Sequence, residues 1–111
     1  MPYLRVVACL SIMLVAGAPA AAAQSLEDVD AANGERLARK LCVNCHQVAP
    51  DSGDPVMADV PGFRAVANRP GMTREAIETF VLNPHPPMPQ VQLTRDELSD
   101  ISAYIMSLRE E

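Results

Sequence analysis

Five consecutive residues, Cys42-Val43-Asn44-Cys45-His46, carry the clearest chemistry in this sequence. Two thiols separated by a two-residue spacer can each add across a vinyl group of haem to form a thioether. The histidine that directly follows the second cysteine would lie beneath the ring and supply an axial imidazole to the iron. The pattern therefore predicts one covalently attached haem, with Cys42, Cys45 and His46 as cofactor-binding residues and His46 as a metal ligand.

Two other kinds of site also use a Cys-x-x-Cys pair. A thioredoxin-like redox disulfide needs a βαβ context, and no such pattern surrounds these cysteines. A structural zinc ion needs four ligands, and only His85 remains downstream to join the two cysteines and His46. Adjacent Cys45 and His46 would chelate one tetrahedral metal awkwardly. Haem is the favoured interpretation, and zinc and a redox disulfide are the alternatives.

A six-coordinate haem iron needs a second axial ligand opposite His46, and the proline-rich segment 84–89 offers one. Prolines on both sides of Met88 limit the freedom of this segment, so a thioether sulfur could be held near iron at small entropic cost. His/Met ligation raises the reduction potential, which suits electron transfer. His85 is the main alternative and would give a bis-histidine haem of lower potential. The other downstream methionines are expected to fill gaps in the core: Met57, Met72 and Met106.

The first residues have the composition of an export signal. Arg5 provides a short positive n-region, an apolar run covers residues 6–18, and three alanines at 21–23 provide a small-x-small cleavage pattern. We predict a cleavable secretory signal peptide over residues 1–23 and one domain over residues 24–111, which has 111 − 23 = 88 residues. The apolar run is too short to predict a membrane span, and an uncleaved anchor is the alternative. Because haem is attached covalently outside the cytoplasm, a periplasmic location is expected.

After cleavage the chain would be a small acidic domain. The net charge of −5 becomes −6 when Arg5 leaves with the signal. An acidic surface is a poor match for nucleic acid or an anionic membrane surface. The partner surface is therefore expected to be basic or mixed. Electron transfer through a haem would make redox proteins the partners: a dehydrogenase, an oxidase or another cytochrome. A domain of this size has marginal stability unless a cross-link or a cofactor adds to its core. With only 2 Phe and no Trp, aromatic side chains alone cannot fill the interior, and a buried haem would do so.

Helical patterns occupy much of the predicted domain. Small and apolar residues recur at three- and four-residue steps from Asp30 and predict a helix that runs into Cys42. Thr73 is a predicted N-cap of a helix that ends at Asn83. The four residues from Thr94 to Glu97 match a capping box and predict a third helix. Three main helices and no strand pair indicate an all-α domain.

The segment 47–69 has prolines and glycines at irregular spacing, which indicates a loop with at most one short helix near residues 62–68. A loop of this length is expected to wrap around one haem edge. Asn68 and Arg69 are candidates to meet a haem propionate. Four apolar side chains of the segment are expected to line the haem edge: Val56, Val60, Phe63 and Val66.

Together these features resemble a small class I cytochrome c, the monohaem family with Cys-x-x-Cys-His near the N-terminus and a distal methionine downstream. The resemblance covers most of residues 30–109. It implies a cytochrome c fold in which three main helices and their loops wrap around one covalent haem. It implies Cys42, Cys45, His46 and Met88 as haem-binding residues, with His46 and Met88 as the iron ligands. It also implies an electron carrier rather than an enzyme, so no catalytic residues are expected.

The resemblance assigns roles to further residues. Gly34 and Tyr104 lie where the family crosses its N- and C-terminal helices. The sequence around Met88 is similar to the family's methionine loop. Pro55 corresponds to the loop proline whose carbonyl accepts the imidazole N–H of His46.

The favoured functional hypothesis is a periplasmic carrier that cycles one electron between Fe(II) and Fe(III). The alternative is a cytochrome subunit of an exported dehydrogenase complex, with the same haem site and one face buried against its partner. Both a monomer and a heterodimer subunit are compatible with the sequence. A sensor or enzyme with an open iron site is disfavoured by the methionine loop. After signal cleavage, no stable membrane insertion is expected.

Overall fold

Four helices follow one another along the described part of the chain, which comprises residues 29–53 and 57–111 of a computed structural model. They are α1 (Ala31–Leu41), α2 (Phe63–Ala67), α3 (Arg74–Leu82) and α4 (Arg95–Ser107). No strand occurs in these residues, so the predicted all-α fold is confirmed there. The three main helices are α1, α3 and α4, and α2 is the predicted short helix. The predicted signal peptide, residues 1–23, lies outside the described residues.

Side-chain caps begin the three main helices at the positions that the sequence indicates. The Asp30 carboxylate accepts a hydrogen bond from a backbone N–H in the first turn of α1, and the Thr73 hydroxyl does the same in α3. At the start of α4, Thr94 and Glu97 bond each other's backbone N–H groups in a complete capping box. Each cap stabilises its helix by about 1 kcal/mol. The helix boundaries therefore follow from local hydrogen bonding.

Helices α1 and α4 cross in direct contact at Gly34. A Cβ at this position would lie 2.0 Å from the carbonyl oxygen of Asp100 and 2.9 Å from the Cβ of Tyr104. Beside the crossing, the buried Asp100 carboxylate accepts hydrogen bonds from the Asp30 N–H at 2.8 Å and from Asn33 Nδ2 at 2.6 Å. Glycine and a satisfied buried carboxylate thus bring the two backbones together. The places implied for Gly34 and Tyr104 are confirmed.

Polar contacts around Ser102 attach α3 to α4. The Ser102 side chain is fully buried, and its Oγ lies 2.6 Å from Glu78 Oε1. The Arg74 guanidinium donates to Ser99 Oγ at 2.6 Å and to Ser102 Oγ at 3.3 Å. A buried hydroxyl with partners on both helices holds their relative position. The residues of α3 that point away from α4 are thereby held in place as well.

The apolar core lies between the helices: Ala38, Val48, Phe63, Ala67, Ile77, Ile101, Tyr104 and Ile105. The Tyr104 hydroxyl donates to the carbonyl oxygen of Val48 at 2.7 Å. Burial raises the pKa of this phenol, so it remains a donor at neutral pH. The hydrogen bond ties the segment that follows the Cys-x-x-Cys-His motif to α4.

Within residues 29–53 and 57–111, no helix is long and apolar enough to cross a membrane.

Candidate functional site

A largely apolar cavity of about 560 Å³ lies between the Cys-x-x-Cys-His motif, α3 and α4. The segment after the motif, α2 and the proline-rich segment complete its walls. Cys42, Cys45, His46 and Met88 all line this one cavity. The volume falls in the range of roughly 300–1,000 Å³ that is typical of cofactor and ligand sites. The structure thus brings all four predicted site residues together.

A turn that continues from α1 brings the two cysteines to the cavity wall. The N–H groups of Cys45 and His46 both donate to the carbonyl oxygen of Cys42, at 3.2 and 2.9 Å. Both cysteines are half-buried, and no disulfide joins them. Burial raises the pKa of the Cys42 thiol to about 11, and nearby Cys45 adds a smaller effect. The two sulfur atoms line the same cavity, as attachment to a single haem requires.

A backbone carbonyl orients the imidazole of His46. Its Nδ1 lies 2.7 Å from the carbonyl oxygen of Pro61, so Nδ1 carries the proton and donates it. This tautomer leaves the Nε2 lone pair for a metal. The ring also packs against Phe63, with 5.3 Å between the ring centroids.

The acceptor for His46 is Pro61, so the assignment of this role to Pro55 is wrong, and Pro55 itself lies outside the described residues. The N–H of Phe63 donates to the carbonyl oxygen of Gln47 at 2.9 Å. This bond holds the start of α2 against the residue that follows the histidine. Pro61 is therefore the proline whose carbonyl oxygen lies next to the imidazole of His46.

The proline-rich segment places Met88 and His85 at the cavity. The Met88 N–H donates to the carbonyl oxygen of His85 at 3.1 Å and closes a turn. Gln90 Nε2 donates to the carbonyl oxygen of Leu82 at 3.3 Å, which ties the segment back to the end of α3. The His85 ring meets the Phe80 ring edge-on, with centroids 5.0 Å apart. Both candidate distal ligands therefore belong to one short turn.

The structure separates the remaining candidates. Arg69 lines the cavity, whereas Asn68 bonds the backbone of Glu110 and Arg64 instead. Of the apolar residues expected at the haem edge, Val60, Phe63 and Val66 line the cavity, and Val56 lies outside the described residues. Among the other methionines, Met57 and Met72 line the cavity, and Met106 packs against the core.

Several lining residues were not assigned from the sequence: Pro61, Ala76, Val91 and Leu93. Val91 and Leu93 show an apolar alternation after the methionine loop, which is the one signal that could have marked them. In the described residues, no group of three or more His, Cys, Asp or Glu side chains is arranged to hold a metal ion. The donors at the cavity instead include the imidazoles of His46 and His85, thioethers and two thiols, a set that suits haem.

An all-α fold with a Cys-x-x-Cys-His motif and a downstream methionine at one apolar cavity defines the class of c-type cytochromes. Residues 29–105 match the family described as cytochrome c oxidase, cbb3-type, subunit III. The chain is 46% identical over 93 residues to cytochrome c-552 of Bradyrhizobium diazoefficiens, which covers 83% of this chain and 88% of that protein. No solved structure matches the chain. The chain belongs to the monohaem c-type cytochromes, and the resemblance noted in its sequence is confirmed.

Membership in this family decides the cofactor and the broad activity. The cofactor is haem c, bound covalently and containing iron. The protein is a haem-based electron carrier rather than an enzyme. The apolar walls and the donor set of the cavity fit this cofactor.

Proposed function

We propose that the protein is an exported one-electron carrier whose haem c is attached through Cys42 and Cys45 and ligated by His46 and Met88. The single observation that carries the proposal is that these four side chains line one apolar cavity. The hydrogen bond from His46 Nδ1 to the Pro61 carbonyl supports His46 as the proximal ligand.

The residues of the chain have distinct parts in this proposal. Bound haem supplies the Fe(II)/Fe(III) couple. Pro61 holds the proximal imidazole in one tautomer, and the turn at Met88 presents a neutral thioether, which favours a higher reduction potential. The apolar walls, including Phe63 and Ile101, keep water away from the iron. Because hydrogen bonds tie both ligand-bearing segments, little rearrangement accompanies electron transfer.

The location follows from the predicted signal peptide. Residues 1–23 would direct export and be removed, and residues 24–111 would form the periplasmic domain. The arginine, the apolar run and the alanines before residue 24 support this proposal. The partners would be redox proteins that dock briefly near the haem edge through a small interface, below roughly 1,200 Å² in total.

A second candidate function is that of a stable cytochrome subunit in an exported dehydrogenase or oxidase complex. The description of the matched family names an oxidase subunit. The cytochrome c-552 relative, 88% of which is covered by the match, has no complex or subunit in its name, so the free carrier remains the first candidate.

The test is to express the full chain in a bacterium that matures c-type cytochromes and to purify the coloured protein from the periplasm. We expect the mass of residues 24–111 plus one haem, and colour that survives acid–acetone extraction. Haem that extracts freely would contradict covalent attachment, and a mass that includes residues 1–23 would contradict cleavage. A stoichiometric partner that persists through high-salt chromatography from the native host would favour the subunit.

A further inference from the structure

A polar cluster joins α3 to α4 outside the cavity. It consists of Arg74 and Glu78 on α3 and of Ser99 and Ser102 on α4. None of these four side chains lines the cavity. Ser102 is completely buried, on a helix whose other buried side chains are mostly apolar. Because an apolar residue would pack there without the cost of desolvating a hydroxyl, the serine needs an explanation other than core packing.

Directional bonds hold this cluster together. Ser102 Oγ lies 2.6 Å from Glu78 Oε1 and 2.9 Å from the carbonyl oxygen of Ser99, and we assign its proton to the shorter contact, which has the charged acceptor. Arg74 donates to Ser102 Oγ at 3.3 Å and to Ser99 Oγ at 2.6 Å. Apolar contacts allow two helices to slide, whereas these hydrogen bonds hold at one register only. The cluster therefore fixes α3 along α4.

The segment that carries Met88 is mounted on the same two helices. It follows α3, whose last residue is Leu82, and leads directly into α4. Gln90 Nε2 donates to the carbonyl oxygen of Leu82 at 3.3 Å, and the ring of His85 packs edge-on against Phe80 of α3. The relative position of α3 and α4 thus sets the span that the segment must bridge, and with it the place of the thioether.

We propose that Arg74, Glu78 and Ser102 are positioning residues for the distal ligand, which hold α3 on α4 so that the Met88 sulfur stays at the iron. The inference rests on the proposed ligation by Met88. An external ligand can bind the iron only after Met88 withdraws, and withdrawal is easier when α3 can shift. The polar cluster thus keeps the distal position closed, although none of its members lines the cavity.

The experiment titrates the oxidised holoprotein with free imidazole. Imidazole binds where Met88 has left the iron, so its apparent dissociation constant reports the population of that state. We expect Ser102→Ala, which removes the hydroxyl shared by both helices, to lower this constant by roughly threefold or more. The weak far-red absorption band of a sulfur–iron bond should also disappear at a lower temperature than in wild type.

Two controls separate positioning from a general loss of stability. Ser107→Ala is the same substitution on the same helix, at an exposed serine whose hydroxyl donates to the carbonyl oxygen of Tyr104. Ala32→Gly lowers stability through helix propensity at an exposed position of α1. Both controls should keep the wild-type affinity for imidazole. Equal gains in affinity in Ser102→Ala and Ala32→Gly would overturn the proposal, because reduced stability alone would then explain both.

A pair of substitutions at Glu78 tests the same bond from α3. Glu78→Gln keeps a side-chain oxygen that can accept from Ser102, whereas Glu78→Ala leaves the buried hydroxyl without this acceptor. We expect a smaller gain in imidazole affinity in Glu78→Gln than in Glu78→Ala. If Ser102→Ala does not accumulate as holoprotein, a wild-type affinity in Glu78→Ala would overturn the proposal.

The wild-type spectrum distinguishes failure of this inference from failure of the proposed function. If wild type shows the far-red band and Ser102→Ala binds imidazole as wild type does, the positioning role alone is refuted. A wild-type holoprotein without the band would refute ligation by Met88, and the positioning role would fall with it.

Discussion

A hydrogen bond from its own side chain holds His46, whereas Met88 is held through its backbone. The imidazole cannot rotate without losing its bond to the Pro61 carbonyl, 2.7 Å away. The thioether of Met88 makes no such bond, because sulfur is a weak acceptor. Its position depends on the turn to His85 and on the neighbouring prolines. Of the two proposed ligands, Met88 is therefore the one more easily displaced.

Replacement of Met88 separates the two candidate distal ligands. We expect the oxidised Met88→Ala protein to lose the weak far-red absorption band of a sulfur–iron bond, while His85→Ala keeps it. Met88→Ala should also lower the reduction potential, because a thioether favours Fe(II) more than water or imidazole does. Visible spectra and a redox titration measure both effects. Loss of the band in His85→Ala alone would contradict Met88 as the ligand.

At the level of the elements, the crossing of α1 and α4 determines where the cysteines lie. The α1 helix ends at Leu41, so its direction sets the position of the motif that follows. Gly34 permits the close approach, and Asp100 bonds the start of α1 from the middle of α4. Tyr104 then secures the residues after the motif through Val48. One helix pair thus supports the cysteines and the histidine from both sides.

Gly34→Ala tests this crossing. Alanine improves the helix propensity by about 1 kcal/mol, but its Cβ would meet the Asp100 carbonyl at 2.0 Å. Forced overpacking costs about 1–3 kcal/mol or more, and a clash with backbone falls at the upper end. We expect a net loss of about 2 kcal/mol in the unfolding free energy of the holoprotein, measured by urea denaturation.

The matched control for this substitution is Ala32→Gly, because Ala32 is an exposed residue of the same helix. It should cost about 1 kcal/mol through propensity alone. If propensity dominated at both positions, Gly34→Ala would be more stable than wild type, which would contradict close packing at the crossing.

For the whole molecule, the cofactor and the fold depend on each other. The cavity of about 560 Å³ is large for a domain of this length, and its walls include core residues Phe63, Ile77 and Ile101. Without a haem these side chains would face water or an empty space. Small domains have little stability to spare. Haem attachment is therefore expected to be a condition for a cooperative fold.

A chain without attachment sites tests this dependence. We expect the double substitution Cys42→Ala and Cys45→Ala to abolish the sharp urea transition and most of the protection of α3 and α4 from hydrogen exchange. Asn44→Ala, at an exposed spacer position, keeps both thiols and should unfold like wild type. A haem-free chain that unfolds as cooperatively as the holoprotein would show that the helices alone form a complete core.

The sequence by itself determined the features that depend on neighbours in the chain. The motif from Cys42 to His46 can be recognised in the sequence because its chemistry requires residues that are close together in the chain. The caps at Thr73 and Thr94 are readable because each bonds a backbone group within three positions. Met88 was indicated by the prolines beside it, and the structure brings it to the same cavity as the motif. In the motif and the caps the interacting groups are covalently close, so few conformations compete.

Only the tertiary structure decided contacts between residues that are distant in the chain. It placed the carbonyl of Pro61, rather than that of Pro55, on His46, because the bond between Phe63 and Gln47 fixes where the loop returns. The C-terminal residues likewise turn Asn68 away from the cavity and leave Arg69 at its edge. Several prolines and polar side chains of the loop were equally plausible in the sequence. The choice among them depends on how the loop closes, and loop closure is set by packing and hydrogen bonds between distant residues.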